Sequence, residues 1–221
     1  MHGLAAPAAK LQEKKSPPKE RLYTIEEYLA MEEISLENHE FDNGKLIPMA
    51  GGTPMHSLTK ANVVTVLNNK IYEAEKMHLV FNSDIRIYLP VLKKAVLPDA
   101  AVVVGKAEFS HAVPVGLLLN PTLIVEVLSE GSESYDRGEK FARYRTLPAF
   151  GEYVLVSQKE ARVETFVKLD GRWFLNEDAT GLDASVELVS LGVTVSLTDI
   201  YRHITFEVES GKNPRKRAKK Q

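Results

Sequence analysis

Steps of three and four residues between apolar positions dominate the first third of the chain; near residue 78 they give way to alternation and then to unbroken apolar runs. "TIEEYLAMEE" opens as a helix, because Thr24 and Glu27 have capping-box spacing, in which each side chain satisfies an orphan N–H of the first turn. "HEFDNGKLIPMAG" reads as a hairpin, since Asn43-Gly44 suits a tight turn with positive φ. From Pro54 to about Met77, Leu58, Ala61, Val64, Leu67 and Ile71 recur at helical spacing and predict an amphipathic helix. "LVFNSDIRIYL" alternates, placing Leu79, Phe81, Ile85, Ile87 and Leu89 on one strand face. "AVLPDAAVVV" and "TLIVEVLS" are nearly continuous apolar runs, as in strands buried on both faces. "SYDRGEKFARYRTL" is predicted helical despite Gly138. "GEYVLVS" and "ARVETFVKLDGRWFL" are predicted strands, the latter turned at Asp170-Gly171, and "SLTDIYRHI" a short terminal helix.

This order predicts a mixed α/β domain over residues 21–208, with a central sheet flanked by helices. The Ala-, Pro- and Lys-rich residues 1–20 and the basic residues 209–221 read as disordered. No internal repeat is visible, and neither a dinucleotide-binding glycine fingerprint nor a phosphate loop is present: Gly51-Gly52 is not followed by Lys-Ser or Lys-Thr.

Composition narrows the chemistry. Of 221 residues, 44% are hydrophobic and 26% charged, ordinary for a globular protein. No apolar run approaches the roughly 18 residues of a membrane span, and the N-terminus lacks the apolar core of a signal peptide. The absence of cysteine removes disulfides, thiolate metal sites and a cysteine nucleophile, and fits a cytoplasmic location. The net charge of -2 conceals an asymmetry: residues 212–221 hold six Lys or Arg and no acid, so the remaining 22 basic and 30 acidic residues carry -8. A nucleic-acid partner would need a local basic patch or that tail; the tail either binds phosphates or is simply solvated.

Two acids interrupt the apolar runs, Asp99 in "VLPDAAVVV" and Glu126 in "LIVEVLS". Alternation puts Glu126 on a face with Ile124 and Leu128, and Asp99 with Leu97 and Ala101. An unpaired buried carboxylate is costly, so each needs a cation, several hydrogen bonds or a strand end. A loop cap or an arginine partner would account for one acid; two in adjacent buried strands suit a hard divalent cation, which prefers oxygen ligands. Downstream, Asp136, Lys140 and Tyr144 form one helical stripe. That spacing fits either a surface Asp136–Lys140 ion pair or a lysine aimed at the acids.

"Pro98-Asp99" followed 27 residues later by "Glu126-Val127-Leu128" resembles the PD-(D/E)XK nuclease pattern. With "YTIEEYL", "HEFDNGKLIPMAG", "PTLIVEVLSEGSESYDRGEKFARYR" and "EYVLV", the chain is similar to the Uma-type family of restriction endonucleases over roughly residues 22–207. The resemblance implies a restriction-endonuclease-like fold, with a central mixed sheet flanked by helices. It also implies an Mg²⁺ (or Mn²⁺) ion held by Asp99, Glu126 and the Val127 carbonyl, with Glu40 as an additional acid. The wider pattern places a lysine where Leu128 stands; in the family it lies on the following helix, here Lys140. Implied too are hydrolysis of DNA phosphodiesters and work as a homodimer.

His56 either borders this site or is a locally bonded helix-start histidine; Arg86, on a polar strand face, either borders the cleft or pairs nearby. Asp136 is a further possible substrate contact. Ser129 and Ser132 read as caps for the next helix, and Trp173 as core or interface rather than a base-stacking platform. The alternative function is a catalytically inactive DNA-binding or assembly module on the same scaffold.

Overall fold

The computed structural model describes residues 21–49, 51–110 and 116–206; both expected disordered ends lie outside the described residues. Helix α1 (Ile25–Glu32) begins at N-cap Thr24 with the capping box formed: the Glu27 N–H donates to Thr24 Oγ1 at 3.2 Å and the Thr24 N–H to Glu27 Oε2 at 2.9 Å. Strands β1 (His39–Asp42) and β2 (Lys45–Pro48) pair about Asn43 and Gly44, whose φ angles of 47° and 97° are those this two-residue turn demands.

Helix α2 (Pro54–Glu73) follows N-cap Thr53 and buries Thr59, Val63, Val66, Leu67 and Ile71. This corrects the expected stripe: Ala61 is exposed and Val64 only half-buried. Apolar residues stand on more than one side of α2, so two overlapping stripes satisfy the same spacing, and packing selects between them.

The alternating segment after residue 78 is not one strand. It divides into β3 (His78–Phe81) and β4 (Arg86–Leu89), which belong to different sheets. The Asp84 N–H donates to Asn82 Oδ1 at 3.1 Å, an Asx turn that reverses the chain between them. Likewise the run around Asp99 divides into β5 (Lys94–Val96) and β6 (Ala100–Val104), so Asp99 sits where the chain passes from one sheet to the other.

There follow β7 (Leu117–Leu118) and β8 (Leu123–Leu128), then a helical segment: α3 (Glu133–Tyr135), a π-helical turn (Asp136–Lys140) and α4 (Phe141–Tyr144). Strands β9 (Glu152–Ser157), β10 (Arg162–Leu169), β11 (Arg172–Thr180), β12 (Ser185–Leu188) and β13 (Val193–Ser196) precede α5 (Leu197–Ile200).

The central sheet runs β11-β10-β9-β8-β6-β3 and is mixed: β8 and β9 are parallel, the other pairs antiparallel. A second sheet runs β2-β1-β5-β4-β7, and β12 pairs with β13. Strand β8 is buried along its whole length and feeds two cores. Leu123, Val125 and Val127 pack with Val63, Leu67 and Ile71 of α2. Ile124 and Leu128 pack on the opposite side with Phe141, Tyr144, Phe150 and Tyr153. Trp173, half-buried, packs against this aromatic group, 4.8 Å from Phe150 and 5.0 Å from Phe141 between ring centroids. Helix α1 covers the second sheet through Tyr28, Leu29, Phe41 and Ala95. No helix among the described residues is long and apolar enough to cross a membrane.

Candidate active site

Glu126 faces the aromatic side of the central sheet, as strand alternation requires, and is 2% exposed. A buried carboxylate there needs partners, and the stripe on the following helix supplies them. Lys140 Nζ lies 2.8 Å from Glu126 Oε1, and the Tyr144 hydroxyl donates to the same oxygen at 2.8 Å. Lys140 also donates to the Leu97 carbonyl at 3.0 Å and lies 3.6 Å from Asp136 Oδ1. The Asp136–Lys140 pair is thus buried at the sheet, not a surface ion pair. The Tyr153 hydroxyl donates to the Asp136 carbonyl at 3.0 Å, tying the π-helical turn to β9.

Asp99 immediately precedes β6, whose first residue, Ala100, pairs with Val125 of β8. Beyond that last rung the Val127 N–H has no β6 partner and donates to Asp99 Oδ2 at 2.7 Å. Adjacent antiparallel strands therefore bring Asp99 and Glu126 to one place, and both line a cavity of about 520 Å³ together with His56, Lys60, Asp136 and Lys140.

His56 approaches Asp99 Oδ1 through Nε2 at 3.3 Å. Its other ring nitrogen is 2.7 Å from Gln158 Nε2, which also donates to the Leu128 carbonyl at 2.8 Å. An amide nitrogen only donates, so Nδ1 accepts and the ring proton sits on Nε2, facing Asp99. Glu40 is buried beside the cavity: its Oε2 accepts from the Tyr135 hydroxyl at 3.2 Å and its Oε1 from the Leu97 N–H at 3.4 Å.

Arg86 is not brought to this cavity. Its guanidinium donates to Glu32 at 2.7 Å and to the Tyr28 hydroxyl at 3.2 Å, bracing α1 against β4. The polar face of its strand looks toward α1 because β4 left the central sheet at the Asx turn. Ser129 and Ser132 bond each other at 2.8 Å in the loop before α3.

The charges explain one another. Burial opposes ionisation of Asp99, yet the His56 ring, the Lys140 ammonium and the Val127 N–H outweigh it and hold the carboxyl below its usual range. Burial pushes Glu126 well up; Lys140 opposes this, while Asp99 and Asp136 add to it. Burial also pushes Asp136 up. Lys140 is disfavoured by burial, but Glu126, Asp136 and Glu40 more than compensate and hold it above the ordinary lysine range. Three carboxyl groups thus share one enclosed ammonium, and burial resists ionisation of Glu126 and Asp136 in a way that further positive charge would relieve.

That donor set fits a hard divalent cation. No three His, Asp or Glu side chains converge as a ligand group among the described residues. The protein would supply two carboxylates, Asp99 and Glu126, with water and substrate completing the shell, which is the Mg²⁺ habit. At Val127 the structure displays the N–H bond that orients Asp99.

Sequence reading missed Lys60, Tyr135, Tyr144's bond to Glu126 and Gln158. Lys60 carried a signal, since it lies one helical turn after His56; Gln158, 102 residues from its histidine partner, carried none.

A mixed sheet flanked by helices, with one acid entering β6, another on neighbouring β8 and a lysine on the next helix, places the chain in the restriction-endonuclease-like fold class. Residues 25–198 match the Uma2 family, described as "Putative restriction endonuclease", and the chain belongs to that family. Two uncharacterised Synechocystis proteins are similar to it. One, sll1609, is 32% identical over 167 residues, covering 76% of this chain and 93% of its own length. The other, slr1290, is 32% identical over 183 residues, covering 82% and 92%. The crystal structure of a "putative nuclease belonging to DUF820" from Anabaena variabilis shares the fold, with a TM-score of 0.60 at 18% identity over 81% of this chain and 97% of that one.

Proposed function

We propose that the protein is a metal-dependent endonuclease that hydrolyses DNA phosphodiesters, using Mg²⁺ or Mn²⁺ held by Asp99 and Glu126. The observation that carries this reading is the meeting of Asp99, Glu126 and Lys140 at one cavity, from the connection into β6, from β8 and from the following helix. When bound, such a cation polarises a phosphate and acidifies a water. The residues do the rest. Asp99, kept ionised, offers Oδ1 to the cavity while Val127 fixes Oδ2. Lys140, kept protonated, is a donor rather than a base, and stabilises negative charge developing on the phosphate. Tyr144 and Asp136 hold Lys140 and Glu126 in register, and Glu40 adds to the field that keeps Lys140 charged. A homodimer would present two such sites to the two strands of a duplex.

The purified protein with Mg²⁺ or Mn²⁺ should nick or cut DNA, and Asp99→Asn or Glu126→Gln should abolish this while remaining folded by circular dichroism. Cleavage at the parent rate by both variants would refute the assignment. A second reading, a binding module without catalysis, draws support from the close Lys140–Glu126 contact, which occupies one prospective ligand oxygen. DNA binding with no cleavage in either metal would select it.

A further inference from the structure

The two oxygens of Asp99 keep different company. Oδ2 is committed to the Val127 N–H at 2.7 Å. Oδ1 faces the cavity, approached loosely by His56 Nε2 at 3.3 Å and Lys60 Nζ at 3.4 Å. Both groups come from α2, one turn apart on the same side of the helix. His56 is braced from behind by Gln158. Lys60 instead reaches in from the mouth: its side chain is 26% exposed, against 5% for Lys140.

We infer that Lys60 is the exchangeable cation of the site, holding Asp99 Oδ1 in the metal-free protein and passing to a substrate phosphate once a divalent cation takes that oxygen. The inference rests on the metal-dependent reading above. A divalent ion sits at roughly 2.1 Å from a carboxylate oxygen. An ammonium a few ångströms from the same oxygen is then repelled by the ion and has lost much of its counter-charge. Lysine's flexible four-carbon stem lets the head swing without disturbing the helix, and the nearest new anion at the mouth is the phosphodiester. Lys140 cannot exchange in this way, because Glu126, Asp136 and the Leu97 carbonyl enclose it. The site therefore holds two lysines with separate tasks, one fixed at the reacting phosphate and one that competes with the metal and then captures substrate.

Lys60→Gln and Lys60→Arg in the full chain test this without measuring turnover. Calorimetric titration with Mn²⁺ alone should show severalfold tighter binding to Lys60→Gln than to the parent, because a competitor is gone. Binding of a short DNA duplex in Ca²⁺ should weaken severalfold in the same variant. Its log K against log salt slope should fall by about 0.9, the value for one phosphate fewer neutralised, and Lys60→Arg should keep the parent slope. Unchanged Mn²⁺ affinity or an unchanged slope in Lys60→Gln overturns the inference. Failure of the underlying reading looks different: the parent takes up no Mn²⁺, or Asp99→Asn takes it up as the parent does, and the Lys60 role falls with it.

Discussion

At the scale of single residues, the site is a set of charges that tolerate burial only together. Glu126 and Asp136 depend on Lys140, and Lys140 on them. Removing one member of a buried charge group leaves the others uncompensated, which typically costs about 3–5 kcal/mol. Lys140→Met should therefore lose both activity and stability of about that size in chemical denaturation without metal. A change under about 1 kcal/mol would mean that Glu126 is already neutral without its lysine. Tyr144→Phe is milder, because it removes one donor from a carboxylate that keeps Lys140. It should cost about 1.5–3 kcal/mol, the range for hydrogen bonds to charged groups, and an equally stable variant would show that Tyr144 is not holding Glu126.

At the scale of elements, the decisive feature is the π-helical turn Asp136–Lys140. Such turns insert a residue into a helix and cluster at functional sites. Here the turn passes through Gly138, where an added Cβ would meet nothing within 4 Å. Gly138→Ala should accordingly fold and cleave like the parent. Deleting Gly138 should restore regular helix and swing one flank by about 100°, parting Lys140 from Glu126. The deletion variant is expected to fold but not to cleave, and parent-like cleavage would show that the turn does not set the lysine's position. A second element-scale device is Glu152 of β9, which accepts from the Val189 and Ser190 N–H groups and the Ser190 hydroxyl, docking the β12–β13 connection. Burial outweighs these bonds and raises its pKa above 4.5. The native state then holds the proton more tightly than the unfolded chain, so this group's stability contribution is full below about pH 4.5 and is lost as pH rises through the raised value. Urea midpoints from pH 4.5 to neutrality should decline less in Glu152→Gln than in the parent; equal slopes would remove Glu152 from the account. What is legible in the sequence follows the same division. Local chemistry is: the Thr24–Glu27 box, the Asn43-Gly44 turn, and the stripe that carries Lys140 to Glu126. Features decided by long-range packing are not. The buried face of α2 is ambiguous in the sequence because two stripes share one spacing. Arg86 turns toward α1 because an Asx turn sends β4 to another sheet. Gln158 reaches His56 through the fold alone.

At the scale of the whole molecule, the charge of the body is unfavourable for a polyanionic substrate, at -8 without the last ten residues. Among the described residues, several of its cations are engaged with its own acids: Lys94 with Asp42, Arg143 with Glu139, Lys159 with Glu133, Arg162 with Asp178, and Arg137 with Glu133 and Glu164. Such pairs cancel part of the field that would draw DNA from a distance. Attraction to DNA would then draw on Lys60 and on other basic residues outside these pairs, among them the six cations of residues 212–221. The tail's share is separable, because counterion release scales with the number of phosphates neutralised. Removing residues 212–221 should weaken duplex binding at low salt and flatten the log K against log salt plot by about 0.9 for each phosphate the tail neutralises. At high salt the two proteins should converge, and cleavage of saturating substrate should be unchanged, the outcome expected of a tail that acts in encounter alone. Identical salt slopes for full-length and truncated protein would remove the tail from the account and assign the attraction to the rest of the chain.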